Sequence, residues 1–169
     1  TEEHFKEALD EMEEKNVSGL IIDLRDNGGG LVSSVTDVLR EILPEGVIFS
    51  TVDKNGNTGE TTCDGKNEID IPLAVLVNES TASASEIFAG AVQDYEKGTI
   101  VGTKTYGKGI VQDIYRLNDG SVIRLTVSHY YTPNGNDIHK KGIAPDVEIE
   151  DNADTAVDEQ LEAAIKAVS

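Results

Sequence analysis

Leu73-Ala74-Val75-Leu76-Val77, followed by Asn78-Glu79-Ser80-Thr81-Ala82-Ser83-Ala84-Ser85-Glu86 and then Ile87-Phe88-Ala89-Gly90-Ala91-Val92, reads as a strand, a turn of small polar residues and a helix. The strand is apolar at every position, the pattern of a chain buried on both faces of a sheet rather than half-exposed. Ser83 stands at the head of the helix. Unpaired backbone N–H groups and the positive end of the helix dipole there favour a developing negative charge, and small neighbours leave room for a substrate. Ser83 is therefore a candidate nucleophile.

Upstream, residues 1–15 carry Phe5, Leu9 and Met12 at helical spacing among acidic and basic residues, until Asn16 breaks the pattern. Leu20-Ile21-Ile22-Asp23-Leu24-Arg25 reads as a second buried strand, and Asp26-Asn27-Gly28-Gly29-Gly30 as the loop leading into a helix that ends before Pro44. Residues 47–52 and a short strand near Thr61 flank the turn signal Asn55-Gly56-Asn57. Downstream, Thr99-Ile100-Val101-Gly102 is another buried strand. Residues 110–117 and 121–132 form a hairpin about Asn118-Asp119-Gly120, and residues from about 155 are helical. Helices alternating with strands, with hairpins inserted, predict an α/β domain with a mixed sheet over residues 1–150. A C-terminal helical extension follows at 151–169, with 151–158 as its hinge.

Composition narrows the functional classes. The 169 residues are 38% hydrophobic, enough for a real core. With 32 acidic against 14 basic side chains and a net charge of −18, nucleic acids and anionic membranes are repelled. No apolar run is long enough to span a membrane. Cys63 is the single cysteine and forms no internal disulfide. The carboxylates Asp23 and Asp26 lack accompanying histidines at ligand spacing, so no metal is expected. The 27–30 glycine run is too short for a nucleotide loop, so no cofactor is expected.

A serine hydroxyl needs a neighbouring base. His4, His129 and His139 have undistinguished settings, whereas Lys108 lies between Gly107 and Gly109 with Gln112 four residues on. A period of two starting at Lys108 would place Lys108, Ile110 and Gln112 on one face. A lysine sheltered from water can act as a neutral general base, with the Gln112 amide orienting it. In the glycine loop, a backbone N–H aimed at a bound acyl oxygen would be half of an oxyanion hole, and the N–H of Ala84 the other half.

The set Asp23-Leu24-Arg25-Asp26-Asn27-Gly28-Gly29-Gly30, Thr81-Ala82-Ser83-Ala84-Ser85-Glu86, Gly107-Lys108-Gly109 with Gln112, Thr132-Pro133-Asn134-Gly135 and Gly142-Ile143-Ala144-Pro145-Asp146 resembles the carboxyl-terminal processing, or tail-specific, proteases. The resemblance implies a crotonase/Clp-protease-like α/β core. It implies Ser83 as nucleophile, Lys108 as base, Gln112 positioning the lysine, and Gly29 with Ala84 as oxyanion donors, with Ser80 and Ser85 in support. It further implies protein or peptide substrates cut near their C-termini, a bacterial envelope location, and an upstream peptide-binding PDZ domain. Gly28 stands where many members have proline. Alternatives from other classes are a noncatalytic peptide-binding module, a crotonase-like thioester enzyme, and a Ser83–His129 arrangement.

Overall fold

The computed structural model describes residues 2–151 and 156–169. Two sheets carry the architecture. The first is parallel, with order β1 (Leu20–Asp23), β4 (Leu73–Val77), β5 (Thr99–Gly102), β8 (Val147–Glu148). The second is antiparallel, with order β3 (Thr58–Asp64), β2 (Glu45–Asp53), β7 (Val122–Tyr131), β6 (Ile110–Arg116). The parallel and antiparallel pairings expected of a mixed sheet thus separate into two sheets, and β8 is an addition to the expected strands.

Alternation along the parallel strands explains why they read as unbroken apolar runs. Leu20, Leu73, Val75, Val77 and Ile100 pack into the main core with helices α2 (Val32–Arg40) and α3 (Ala84–Asp94) and with Ile48, Phe49 and Tyr130 of the second sheet. Ala74, Leu76 and Val101 point the other way, against Ala164 of α4 (Glu159–Ala167). Both faces are covered, as a parallel sheet requires. The C-terminal helix therefore packs on the domain as its outer layer, and the hinge expected at 151–158 lies partly outside the described residues. Buried Gln160 donates to the Ile149 carbonyl (2.8 Å), and Asp158 caps α4 by accepting from the Leu161 N–H (2.8 Å).

Helix α1 (Glu2–Glu14) rests Phe5, Leu9 and Met12 on the core and ends where Asn16 takes a left-handed conformation (φ 51). The β6–β7 hairpin projects from the body. Its distal residues are exposed on both faces, including Ile114 and Val122, each 60% exposed. No helix among the described residues is long and apolar enough to cross a membrane.

Candidate active site

The site forms where β1 and β4 end side by side, the carboxyl ends of parallel strands where loops from neighbouring crossovers meet. Asn78, just after β4, clasps Asp26, just after β1: its Oδ1 accepts the Asp26 N–H and its Nδ2 donates to Asp26 Oδ1, both at 3.0 Å. The Thr81 hydroxyl donates to the Leu24 carbonyl (2.8 Å), and the Ala82 N–H donates to the Asn27 carbonyl (3.1 Å). These bonds press the glycine loop against the Ser83 turn. A Cβ added at Gly29 (φ 90) would lie 2.6 Å from the Ala82 carbonyl oxygen and 2.8 Å from the Ala84 nitrogen, so only glycine fits there.

Ser83 occupies the N-cap of α3 with φ 58 and ψ −119, a conformation that non-glycine residues rarely adopt and that is held here by its surroundings. The holding group is Glu86, which is 0% exposed. Its Oε2 accepts the N–H of Ser83 (2.9 Å) and of Lys108 (2.8 Å), and its Oε1 accepts the Gly107 N–H and the Thr105 hydroxyl (both 2.6 Å). An ionised carboxylate is acceptor-only and matches these donors. One buried side chain thereby ties the backbone of the candidate nucleophile to that of the candidate base. Tyr130 adds a further tie, donating its hydroxyl to the Ser83 carbonyl (3.0 Å). Burial, and then the nearby Glu86 charge, push the Tyr130 phenol far above the ordinary tyrosine range.

Ser83, Lys108 and Gln112 line one cavity of about 220 Å³, together with Gly30, Val111 and Arg124. Lys108 is half-buried rather than sheltered, and its Nζ has no hydrogen-bond or ion partner among the described residues, Ser83 included. The expected alternation from Lys108 to Gln112 is altered in two ways. Lys108 precedes β6, and the register slips between Val111 and Gln112, so that Val111 joins its neighbours on the cavity wall. Gln112 Nε2 donates to Thr126 Oγ1 (3.4 Å).

The Ala84 N–H, the first in α3, is unpaired among the described residues. The Gly29 N–H is instead engaged by Asn27 Oδ1 (3.0 Å). Beside these donors a second cavity of about 350 Å³ is lined by Phe5, Leu24, Leu31, Val35 and Phe88. None of the histidines lines the Ser83 cavity: His129 and His139 stack edge-to-face at 5.1 Å, and His4 is exposed beside Glu7. Ser85 is buried and Ser80 exposed. No cluster of three or more His, Cys, Asp or Glu converges among the described residues.

Residues 1–149 match the profile of Peptidase family S41. The chain belongs to that family. This S41 chain is 49% identical over 143 residues to a carboxyl-terminal-processing protease of Synechocystis, a match covering 85% of the chain and 34% of the relative. A probable serine protease of Staphylococcus epidermidis is 38% identical over 152 residues, covering 88% of the chain and 31% of the relative. The S41 chain thus spans about a third of these relatives' length. The solved photosystem II D1 C-terminal processing protease superposes with a TM-score of 0.80 at 40% identity, covering 96% of this chain and 42% of that one. The tricorn protease, at 22% identity over 89% of this chain and 15% of its own and a TM-score of 0.61, shares the fold alone. The Clp-protease-like α/β core expected from the motifs is the one observed.

Proposed function

We propose that this chain is the catalytic core of a serine endopeptidase that cleaves protein or peptide substrates near their C-termini through a Ser83–Lys108 pair. The observation that carries this reading is the sharing of one cavity by Ser83 and Lys108 in an S41 chain, with the Ala84 N–H unpaired beside them. Lys108 Nζ takes the Ser83 hydroxyl proton, and the alkoxide attacks the scissile carbonyl. The oxyanion is held by the N–H of Ala84 and, once Asn27 releases it, that of Gly29. The lysine ammonium protonates the leaving amine. The Lys108 amine, neutral again, then takes a proton from water as the water oxygen attacks the acyl-enzyme carbonyl, and it returns that proton to Ser83 Oγ as the C–O bond to the serine breaks and frees the second product. Gln112 steadies Lys108 from the cavity wall, and the apolar cavity beside Gly29 receives an apolar side chain next to the scissile bond.

The reading extends to a whole protein in the bacterial envelope with an upstream PDZ domain. Its support is a family with bacterial and chloroplast members whose chains run well past the matched third.

A fluorophosphonate probe tests the core claim without a natural substrate. Mass spectrometry is expected to place the adduct on Ser83. Ser83→Ala should abolish labelling and Lys108→Ala should slow it by roughly 10²–10³, with unchanged circular dichroism, and His129→Ala should be silent. Labelling at wild-type rate in Lys108→Ala would overturn the mechanism.

A further inference from the structure

The cavity holding Ser83 and Lys108 is walled by two cations, Lys108 and Arg124, and by no Asp or Glu, in a chain with 32 acidic residues. Arg124 lies on β7 opposite Ile114 of β6, with Thr126 opposite Gln112 and Val122 opposite Arg116. Opposed residues share a face of the hairpin, as do alternate ones along each strand. The Gln112–Thr126 hydrogen bond shows that pair meeting on one side. Because Gln112, Ile114 and Arg124 line the cavity, this is the face turned toward the candidate nucleophile, and Arg116 lies next along it. Asp113 belongs to the opposite face, where it accepts the Tyr115 hydroxyl (3.3 Å). Asp119 is spent in the turn, accepting from the Ser121 N–H (2.9 Å) and hydroxyl (2.6 Å).

The chain has four arginines. Arg25 is bound to Asp23 and Asp158, and Arg40 to Asp37. Arg116 and Arg124 have no partner among the described residues. Guanidinium groups match carboxylates in a planar, two-pronged geometry. A net charge of −18 opposes the approach of any acidic peptide, and unneutralised Arg124 on the cavity wall, with Arg116 further along the hairpin, supplies a local field that offsets it.

We propose that Arg124, with Arg116 beyond it, binds a carboxylate of the peptide substrate, while exposed Ile114 and Val122 on the same face give the extended peptide apolar contact. The proposal rests on the peptidase reading above and adds a charge preference to it. The carboxylate belongs either to the substrate's free C-terminus or to an acidic side chain.

The test is peptide binding to the Ser83→Ala chain, which holds substrate without turnover, read by fluorescence anisotropy. A dye-labelled peptide of alanine, valine and serine is used with a free or amidated C-terminus and with an internal glutamate or glutamine. Forms bearing the recognised carboxylate should bind roughly three- to tenfold tighter than their neutral counterparts, the range of a partly exposed charged pair. Arg124→Gln should bring that ratio close to one, Arg116→Gln should narrow it, Arg124→Lys should restore part of it, and added salt should compress it. Loss on amidation assigns the terminus, and loss on replacing glutamate assigns the side chain. Equal binding of all forms, no binding of any, or a preference that survives Arg124→Gln overturns the proposal. Failure of Ser83 labelling in the wild-type chain, with the binding ratio intact, would strike at the catalytic reading instead, so the two failures are distinct.

Discussion

Replacing Glu86 with glutamine changes one buried atom and should unsettle both candidate catalytic residues, Ser83 and Lys108. The carboxylate accepts four hydrogen bonds, from Ser83, Thr105, Gly107 and Lys108. A glutamine amide keeps one acceptor oxygen, and its NH₂ must face one of the two donor pairs. Turned toward Ser83 and Lys108, it leaves both backbone N–H groups without an acceptor. Turned toward Thr105 and Gly107, it still orphans the Gly107 N–H, because an NH₂ group has no lone pair to accept it. An orphaned buried N–H costs about 1–3 kcal/mol, and the surviving bonds lose their charge assistance. The sum is on the order of 3 kcal/mol. With a urea slope of about 2 kcal/mol per M, the unfolding midpoint should fall by about 1.5 M. In the folded fraction, Ser83 labelling should slow by at least roughly tenfold, because the strained Ser83 backbone loses its restraint. The milder Thr105→Val change should lower stability without reaching the Ser83 N–H. A Glu86→Gln chain that unfolds at the wild-type midpoint and labels at the wild-type rate would refute the reasoning.

Gly29→Ala forces a Cβ to within 2.6 Å of the Ala82 oxygen at a φ of 90. Stability should drop by about 1–3 kcal/mol and Ser83 labelling by roughly 10², as a donor displaced by about 1 Å implies; labelling within twofold of wild type would contradict this. At low pH one contributing group is Asp158, which shares Arg25 with Asp23 and whose carboxyl is held below the ordinary range by hydrogen bonds from Arg25 first and by the Leu161 N–H next. A depressed folded-state value contributes stability above the unfolded value of about 3.9 and loses it as pH falls through the folded one. Urea midpoints measured from neutral to acid pH should therefore fall less steeply below about pH 4 in Arg25→Met than in wild type, from a lower neutral plateau, and equal slopes would count against the pairing.

The sequence revealed what local pattern encodes. The strand–turn–helix around Ser83 is an apolar run, a small-residue turn and a helix in succession. Both hairpins announced themselves by Asn-Gly and Asp-Gly turns, and Gly56 (φ 82) and Gly120 (φ 86) supply the left-handed residues those turns need. Glu86 was legible only in part. Ser83 and Glu86 fit the spacing of a capping box, which accounts for the bond to the Ser83 N–H. Its other donors come from 19, 21 and 22 residues further on, beyond any periodic signal. Arg25 hides in the same way, with a neighbour at Asp23 and distant partners at Asp158 and Gln160. The slip between Val111 and Gln112 escaped because a bulge comes from strand pairing and carries no residue signature here. Two-residue β8 is too short to read before its pairing with β5 is known.

The engagement of the Gly29 N–H by Asn27 bears on how the site would separate substrate from transition state. A substrate carbonyl is a neutral acceptor much like the Asn27 amide oxygen, so exchanging one for the other yields little. An oxyanion is a charged acceptor, and hydrogen bonds to it are about twice as strong. The exchange therefore becomes favourable only as charge develops. Ala84 supplies the contrast, since its N–H has no competing acceptor among the described residues and can meet the carbonyl from the outset. Under the proposed mechanism, one donor open to the ground state and one won only by the oxyanion would concentrate stabilisation where it accelerates acylation. The Ser83 and Lys108 backbone N–H groups would not add to that pair of donors, because Glu86 already accepts both.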